Sequence, residues 1–307
     1  MEANSPCRPS RREFLGSASA VLAWAGWATC PMAAERPKAR KVVVGAHPWV
    51  YAAKLPGYDI TPVLPQIFAD MSYAGFDGIE LISTVLRPDD AVERIAELSH
   101  KHRLAIIGMS FSGAMWDRQQ HQAILEDAEL TITRLGKLGG RTLGTSVGPA
   151  PKKKTPRQLD DQAELLRKIM AICRANGVVL NLHNHTYEVV DHLYDLKGTL
   201  VRIPDVKLGP DLNWLVRGGV DPAAFLRQFG PRIVFMHLRD QKADGRWSEA
   251  MGEGVTDYVG IAKALHDIKF YGDAVVELAH EGDFKPTRPL RESLKMSRQF
   301  VRRVLGY

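Results

Sequence analysis

The sequence predicts an α/β fold in which eight parallel strands alternate with helices and close into a (β/α)8 TIM barrel. Short apolar runs and helical segments follow each other eight times along the chain, which is the order that a parallel sheet requires. Residues 35–307 comprise 273 residues, close to the length of about 250 that such barrels have. No glycine-rich dinucleotide-binding sequence follows the first strand, which disfavours an open doubly wound sheet.

The strands are predicted from runs that are apolar throughout, because strands of a parallel sheet are buried on both faces. In chain order these runs are KVVVGAH, FDGIELI, LAIIGMSF, RTLGTSV, VVLNLHNH, VKLGPD, RIVFMHL and GDAVVELA. Helices are predicted between and after the strands, over residues 61–73, 88–103, 119–138, 156–176, about 188–200, from 221 onwards, 257–268 and 288–305.

Local signals support several of these helices. Residues 88–103 carry apolar side chains at helical spacing. Gly139 and Gly140 end the third helix, because glycine readily leaves the helical conformation. Asn176 and Gly177 form a pair that is typical of a helix C-cap and close the fourth.

The first 34 residues predict an export signal. Arg11 and Arg12 precede Phe14 and an apolar, small-residue stretch, an order that resembles a twin-arginine signal peptide with cleavage near Ala34. The stretch is too short and too rich in small residues for a comfortable membrane span, so an uncleaved anchor is the less favoured alternative. We expect the twin-arginine (Tat) export machinery to carry the protein to the periplasm or the exterior. Residues 35–307 would then be a single barrel domain with no stable membrane span.

Composition disfavours a nucleic-acid partner. The net charge is +6, and the leader contributes +1 of it. The run from Lys152 to Lys154 is typical of a solvated loop rather than of a basic binding surface. Cys173 is the only cysteine after residue 34, so no disulfide can form within the mature chain.

Four acid or imidazole residues stand at the ends of the last four predicted strands. They are His185, Asp211, His237 and Glu277, and they lie 26, 26 and 40 residues apart. These spacings suit residues at the same end of successive strands, where barrels carry their active sites. Two imidazoles and two carboxylates facing one axis predict a divalent metal site. The donor mixture suits Mn²⁺, Zn²⁺, Co²⁺ or Fe²⁺ better than Ca²⁺.

Further side chains are expected near this site. His183 shares a strand face with His185, because strand residues alternate. We expect one of the two to bind metal, with His185 favoured, and the other to face substrate or act as a base. Glu80 ends the second strand, and it either contacts substrate or makes a salt bridge. His47 ends the first strand and is also expected to contact substrate, whereas Glu253 binds hydroxyls or caps its loop.

Six segments carry a family resemblance along the whole mature chain: GFDGIEL, LNLHNHTYE, LGPDLNW, VFMHLRD, MGEGVTDY and VVELAH. They resemble the xylose isomerase-like TIM-barrel superfamily, the group of sugar phosphate isomerases and epimerases. The resemblance implies one divalent metal, often Mn²⁺, and its metal positions match Asp211, His237 and Glu277. The ketose epimerases have glutamate on the fifth strand, where this chain offers His183 and His185. That departure resembles the inosose dehydratase-like branch and lyases of keto-glycosides.

The resemblance implies enolisation of a small-molecule sugar substrate, with Glu277 or His183 as the base. An isomerase or epimerase of an unphosphorylated keto sugar or keto-inositol is the first expectation, because export disfavours a phosphorylated substrate. A lyase of 3-keto-glycosides and a non-catalytic sugar-binding barrel are the alternatives. A related DNA-repair endonuclease is disfavoured, since Trp214 stands where a further histidine would be expected. A homo-oligomer is left open. Four tryptophans near the mouth either stack on a sugar ring or pack: Trp49, Trp116, Trp214 and Trp247.

Overall fold

The computed structural model describes residues 41–307, and the predicted signal peptide lies outside this part of the chain. Eight strands form one parallel sheet in the described residues. Their bounds are Val43–Ala46 (β1), Gly78–Ile82 (β2), Ala105–Ser112 (β3), Thr142–Ser146 (β4), Val179–Leu182 (β5), Lys207–Leu208 (β6), Phe235–Leu238 (β7) and Asp273–Val276 (β8).

The sheet closes on itself. The strands follow the order β6-β5-β4-β3-β2-β1-β8-β7, so β1 pairs with both β2 and β8. Parallel bridges from Leu208 to Ile233 and from Asp211 to His237 join β6 to β7 and complete the circle. The predicted (β/α)8 TIM barrel is therefore confirmed.

Ten α-helices lie among residues 41–307. Their bounds are Trp49–Ala52 (α1), Leu64–Ala74 (α2), Ala91–His102 (α3), His121–Lys137 (α4), Pro156–Ala175 (α5), Thr186–Arg202 (α6), Leu212–Arg217 (α7), Pro222–Phe229 (α8), Tyr258–Asp267 (α9) and Leu290–Phe300 (α10). A π-helical turn, Val301–Leu305, extends α10. No helix of the described residues is long and apolar enough to cross a membrane.

Two regions differ from the expected pattern. Helix α6 is interrupted at Asp191, His192 and Leu193, whose φ angles of 52°, 59° and 65° are left-handed. Left-handed backbone is costly for residues with a Cβ, and no glycine marks the break in the sequence. Lys154 is only 5% exposed, so the expectation of a fully solvated lysine loop was wrong at this residue. Its ammonium pairs with Asp195 at 2.5 Å.

The barrel interior is polar towards the C-terminal ends of the strands. Glu80, Thr145 and Asn181 are all fully buried there. A side chain at Gly209, just after β6, would place its Cβ 1.8 Å from the Asn181 amide oxygen. A larger residue would have to displace the Asn181 side chain, because the short sixth strand passes close to this buried amide.

Candidate functional site

A cavity of about 530 Å³ opens at the C-terminal ends of the strands, where barrel active sites lie. We call it the mouth cavity. It is lined by His47, Trp49, Tyr58, Ile82, Ser83, Thr84, Arg87, Ser110, Phe111, Ser112, Gly144, His183, His185, Trp214, His237, Arg239, Trp247 and Glu277. The wall is largely apolar and aromatic, and its imidazoles and the carboxylate of Glu277 come from the ends of β1, β5, β7 and β8.

Two histidines of the mouth wall and one buried aspartate form a group that can hold a metal ion. One ligand atom from each of His183, Asp211 and His237 lies within 4.8 Å of the others. His183 follows β5, and His237 lies within β7. Asp211 caps α7, because its Oδ1 accepts hydrogen bonds from the backbone N–H groups of Asn213 and Trp214 at 2.8 and 3.0 Å. The helix start therefore fixes the carboxylate in place.

Arg239 joins two carboxylates of the site. Its guanidinium lies 3.2 Å from Asp211 Oδ2 and also contacts Glu277 Oε2. Burial alone would raise the pKa of Glu277, but the charges of Arg239 and His237 hold this pKa well below its usual range. Burial raises the pKa of Asp211, and Arg239 opposes that effect. Glu277 is thus held ionised at the end of β8.

His237 lies between two carboxylates. Its Nε2 contacts Glu80 Oε2, and its Nδ1 lies 2.9 Å from Glu277 Oε2. Burial alone would lower the pKa of His237, but the negative charges of Glu80 and Glu277 raise it to about 10. The same negative potential favours a metal cation at this point of the barrel.

His185 lines the mouth cavity next to His183. The two rings are 5.0 Å apart and nearly perpendicular. His185 Nδ1 lies 3.2 Å from both Ser146 Oγ and the Tyr187 hydroxyl. Burial lowers the pKa of His185 to about 4, so its ring is neutral at neutral pH. Burial likewise holds the pKa of His183 well below its usual range.

The donor set fits a divalent ion. His183 Nδ1 is buried and makes no hydrogen bond within the described part of the chain. Neutral imidazoles and ionised carboxylates are the forms that bind transition metals, so His237, whose pKa is raised to about 10, would release a proton when the ion binds. His183, Asp211 and His237 would hold the ion, with Glu277 beside them. The ion would share the carboxylates with Arg239, which is possible because each carboxylate oxygen has two lone pairs.

Of the three other residues that the sequence predicts to contact substrate, one lines the mouth cavity and two do not. His47 lines the mouth cavity, with Nε2 2.9 Å from Ser110 Oγ and Nδ1 3.4 Å from Glu277 Oε1. Glu80 lies beneath the cavity against His237, and not in its wall. Glu253 lies outside the wall, where it contacts Arg288 and caps its own loop through the N–H of Ala250.

The aromatic wall is built by Trp214 of α7 and Trp247 of the loop after β7. The rings of Trp214 and Trp247 meet edge to face, with centroids 5.8 Å apart. Trp247 Nε1 donates to Asn213 Oδ1 at 2.8 Å, which ties the loop after β7 to α7. Arg217 stacks over the Trp247 ring at 4.1 Å. Trp49 also lines the cavity, whereas Trp116 does not.

Sequence reasoning missed Arg239 and the partners of His185. Arg239 could have been found, because it follows His237 by two residues and so continues the same strand face. No comparable signal marks Ser146, which approaches His185 only when β4 and β5 pair in the folded barrel.

Comparison with known proteins agrees with this architecture. The family model described as xylose isomerase-like TIM barrel matches residues 68–300. The inosose dehydratase of Bacillus thuringiensis is 23% identical, and the match covers 78% of this chain and 89% of that enzyme. The inosose dehydratase of Geobacillus kaustophilus is 26% identical, and its match covers 52% of this chain and 58% of that enzyme. This chain therefore spans less than two thirds of the Geobacillus enzyme's length.

Solved structures share the fold at low sequence identity. An L-ribulose 3-epimerase superposes with a TM-score of 0.71 at 19% identity, covering 86% of this chain and 95% of that one. The 3-keto-D-glucoside 4-epimerase of E. coli superposes with a TM-score of 0.66 at 16% identity, covering 84% of this chain and all of that one (100%). The chain belongs to the xylose isomerase-like TIM barrel family.

Proposed function

We propose that this protein is a divalent-metal-dependent isomerase or epimerase that enolises an unphosphorylated keto sugar or keto-inositol. The observation that carries the proposal is the metal-competent group of His183, Asp211 and His237, in which both histidines line the mouth cavity, with the neutral ring of His185 beside it. Membership of a family of sugar isomerases, epimerases and dehydratases supports the same chemistry.

The proposed cofactor is one divalent ion, Mn²⁺ in the first place, with Zn²⁺, Co²⁺ or Fe²⁺ as alternatives. When bound by His183, Asp211, His237 and Glu277, it would polarise a substrate carbonyl as a Lewis acid. Arg239 holds both Asp211 and Glu277 in place and keeps Glu277 ionised. Trp214 and Trp247 offer flat apolar faces to a sugar ring.

His185 is the residue we propose as the base, in preference to His183 or Glu277. His183 belongs to the ligand group, and the Glu277 carboxylate is already engaged by Arg239 and His237. Ser146 donates its hydroxyl proton to Glu188 Oε1 at 2.8 Å, which leaves its oxygen to accept from His185 Nδ1–H. In that tautomer Nε2 carries the lone pair that takes a proton from carbon next to the carbonyl.

The fate of the proton decides the reaction class. Return to the next carbon gives an isomer, and return to the other face gives an epimer. Expulsion of a β-substituent gives elimination. A lyase is the second candidate, because both sequence relatives described above are inosose dehydratases and the fifth strand ends in histidines rather than glutamate.

The test is proton exchange in D₂O. The metal-loaded protein is incubated with keto sugars, 2-keto-inositol and 3-keto-glycosides and followed by NMR. Deuterium entering the carbon next to the carbonyl, without bond cleavage, would support the isomerase or epimerase. Loss of water or of an aglycone would favour the lyase. Absence of both, with about one metal bound per chain, would count against enolisation and favour a sugar-binding barrel.

We also propose export, on the resemblance of residues 1–34 to a twin-arginine signal. Replacing Arg11 and Arg12 together by lysine should leave an uncleaved precursor in the cytoplasm. Fractionation of cells that express either form, with mass determination of the mature N-terminus, checks this. Equal export of the lysine form would contradict a twin-arginine route.

A further inference from the structure

A second cavity, of about 280 Å³, lies beside the first turn of α10. We call it the α10 cavity. It is lined by Val50, Lys54, Glu249, His280, Pro286, Arg288, Pro289, Leu290 and Ser293. No residue lines both this cavity and the mouth cavity. Within α1, Trp49 faces the mouth cavity while the next residue, Val50, faces the α10 cavity, so the two cavities are separate.

The α10 cavity holds buried hydrogen-bonding groups without partners. Ser293 is 0% exposed, and its Oγ makes no hydrogen bond within residues 41–307. The Nε of Arg288 is likewise buried and unpaired there. A buried hydroxyl or guanidinium N–H without a partner costs free energy, so each such group calls for a ligand. Both can donate a hydrogen bond to the cavity.

The carboxylate in the wall is already satisfied. Glu249 accepts hydrogen bonds from the backbone N–H groups of Thr287 and Arg288 at 2.9 and 3.3 Å. It also accepts from the Thr287 hydroxyl at 2.6 Å and the Arg288 guanidinium at 3.2 Å. These contacts, against the effect of burial, lower the pKa of Glu249. Its charge is therefore compensated, and it does not require a cation from solution.

Positive charge remains at the cavity. Lys54 makes no ion pair or hydrogen bond with any other described residue. Burial lowers the pKa of His280, and the next largest effect is the charge of Lys54, which shows that the ammonium lies near this ring. The first turn of α10 adds backbone N–H groups, and no side chain caps them.

We propose that the α10 cavity binds a small molecule through a phosphate or carboxylate group. Lys54, Arg288 Nε, the Ser293 hydroxyl and the start of α10 donate to its oxygens, and Val50, Pro286 and Leu290 contact its carbon skeleton. This ligand is a different molecule from the sugar of the mouth cavity, because the two cavities share no wall residue. The proposal stands independently of the proposed enzymatic function.

Inorganic phosphate and acetate serve as the probes, with sodium chloride at matched ionic strength as the reference. At ligand concentrations about tenfold above the dissociation constant, we expect phosphate or acetate to raise the thermal midpoint of the full chain by about 3 °C. The anion that gives the larger shift identifies the preferred group. Broadening of the phosphate ³¹P resonance reports binding without reference to activity.

The variants locate the bound anion. Ser293→Ala should unfold at the same or a higher temperature without anion, because it removes an unpaired hydroxyl, and should lose most of the anion-dependent shift. Lys54→Met should lose most of the shift as well. Lys152→Met removes an exposed lysine elsewhere and should keep it. No shift with either anion, or an undiminished shift in both cavity variants, would overturn the proposal.

Discussion

His237 Nε2 contacts the carboxylate of Glu80 at a depth where both side chains are almost fully buried. Each residue comes from a different side of the barrel, since Glu80 belongs to β2 and His237 to β7. The carboxylate fixes the ring orientation and leaves Nδ1 turned towards Glu277. A carboxylate in this position makes a metal-binding histidine a better ligand.

Glu80→Gln should therefore weaken metal binding, because the amide cannot hold the imidazole by charge. We expect the metal dissociation constant to rise by about 10- to 100-fold, measured by calorimetry on metal-free protein. Glu97→Gln makes the same chemical change on the exposed face of α3 and should leave affinity unchanged. Equal affinity in both variants would remove Glu80 from the metal site.

His183 and His185 should lose different properties when each is replaced by asparagine. We expect His183→Asn to bind much less than one metal ion per chain, because His183 belongs to the group around the proposed ion. His185→Asn should keep about one metal per chain and lose deuterium exchange by a factor of about 10² to 10⁴, the usual contribution of a general base. Metal analysis and exchange rates on the same samples separate the two roles. The reverse pattern would restore His185 as the ligand.

The contact of His185 with Ser146 predicts a positioning effect. Ser146→Ala removes one of the two hydroxyls beside Nδ1, so the ring should populate the wrong tautomer more often. We expect kcat for exchange to fall by about tenfold, with KM and bound metal unchanged. The ring ¹⁵N shifts of His185 report the tautomer directly. A fall in kcat without a change in those shifts would contradict this explanation.

Lys154 should be important for folding in a way that its neighbours in the lysine run are not. Its ammonium pairs with Asp195 and donates to Gln162 at 2.8 Å inside the protein. Lys154→Met would leave the buried Asp195 carboxylate without its counter-charge, and we expect the free energy of unfolding to fall by about 3 kcal/mol. Lys152→Met should change it by less than about 0.5 kcal/mol. Urea unfolding of both variants provides the comparison, and equal stabilities would contradict a structural role.

Cys173 should be inert to alkylation in the folded protein. It is 1% exposed, and burial raises the pKa of its thiol to about 12. Because the folded pKa lies above the unfolded value, this group contributes stability that is complete below pH 9.0 and is lost as the pH rises towards 12. Mass spectrometry should find Cys173 labelled only as fast as the chain unfolds. As the pH rises from 9.0 towards 12, the free energy of unfolding of Cys173→Ala should fall less than that of the unsubstituted chain.

The strand ends were predictable because parallel strands are apolar runs of limited length, and barrel closure places their ends together. Asp211, His237 and Glu277 were identified in this way, and the structure brings all three to one place. The sequence favoured His185 over His183 as the ligand, although alternation places both on one face. In the folded barrel Ser146 and Tyr187 contact His185, whereas His183 lies in the group with Asp211 and His237.

Other features depend on contacts that local sequence does not encode. The break of α6 at Asp191–Leu193 has no glycine or proline to signal it. Lys154 is buried because Asp195 and Gln162 from two different helices meet it, although its neighbours in the run remain exposed. The sequence left open whether Glu80 contacts substrate or makes a salt bridge, and only the closed barrel brings it against His237.

Asp211 has a structural role as well as a place in the polar site, and this limits what its presence in a related protein implies about activity. One of its oxygens starts α7, and the other belongs to the polar site. A related protein that had lost catalytic activity would still need an aspartate, serine or asparagine at this position to begin that helix. Retention of this residue in a related chain is therefore weak evidence of activity, whereas retention of His183, which caps nothing, would be a better marker.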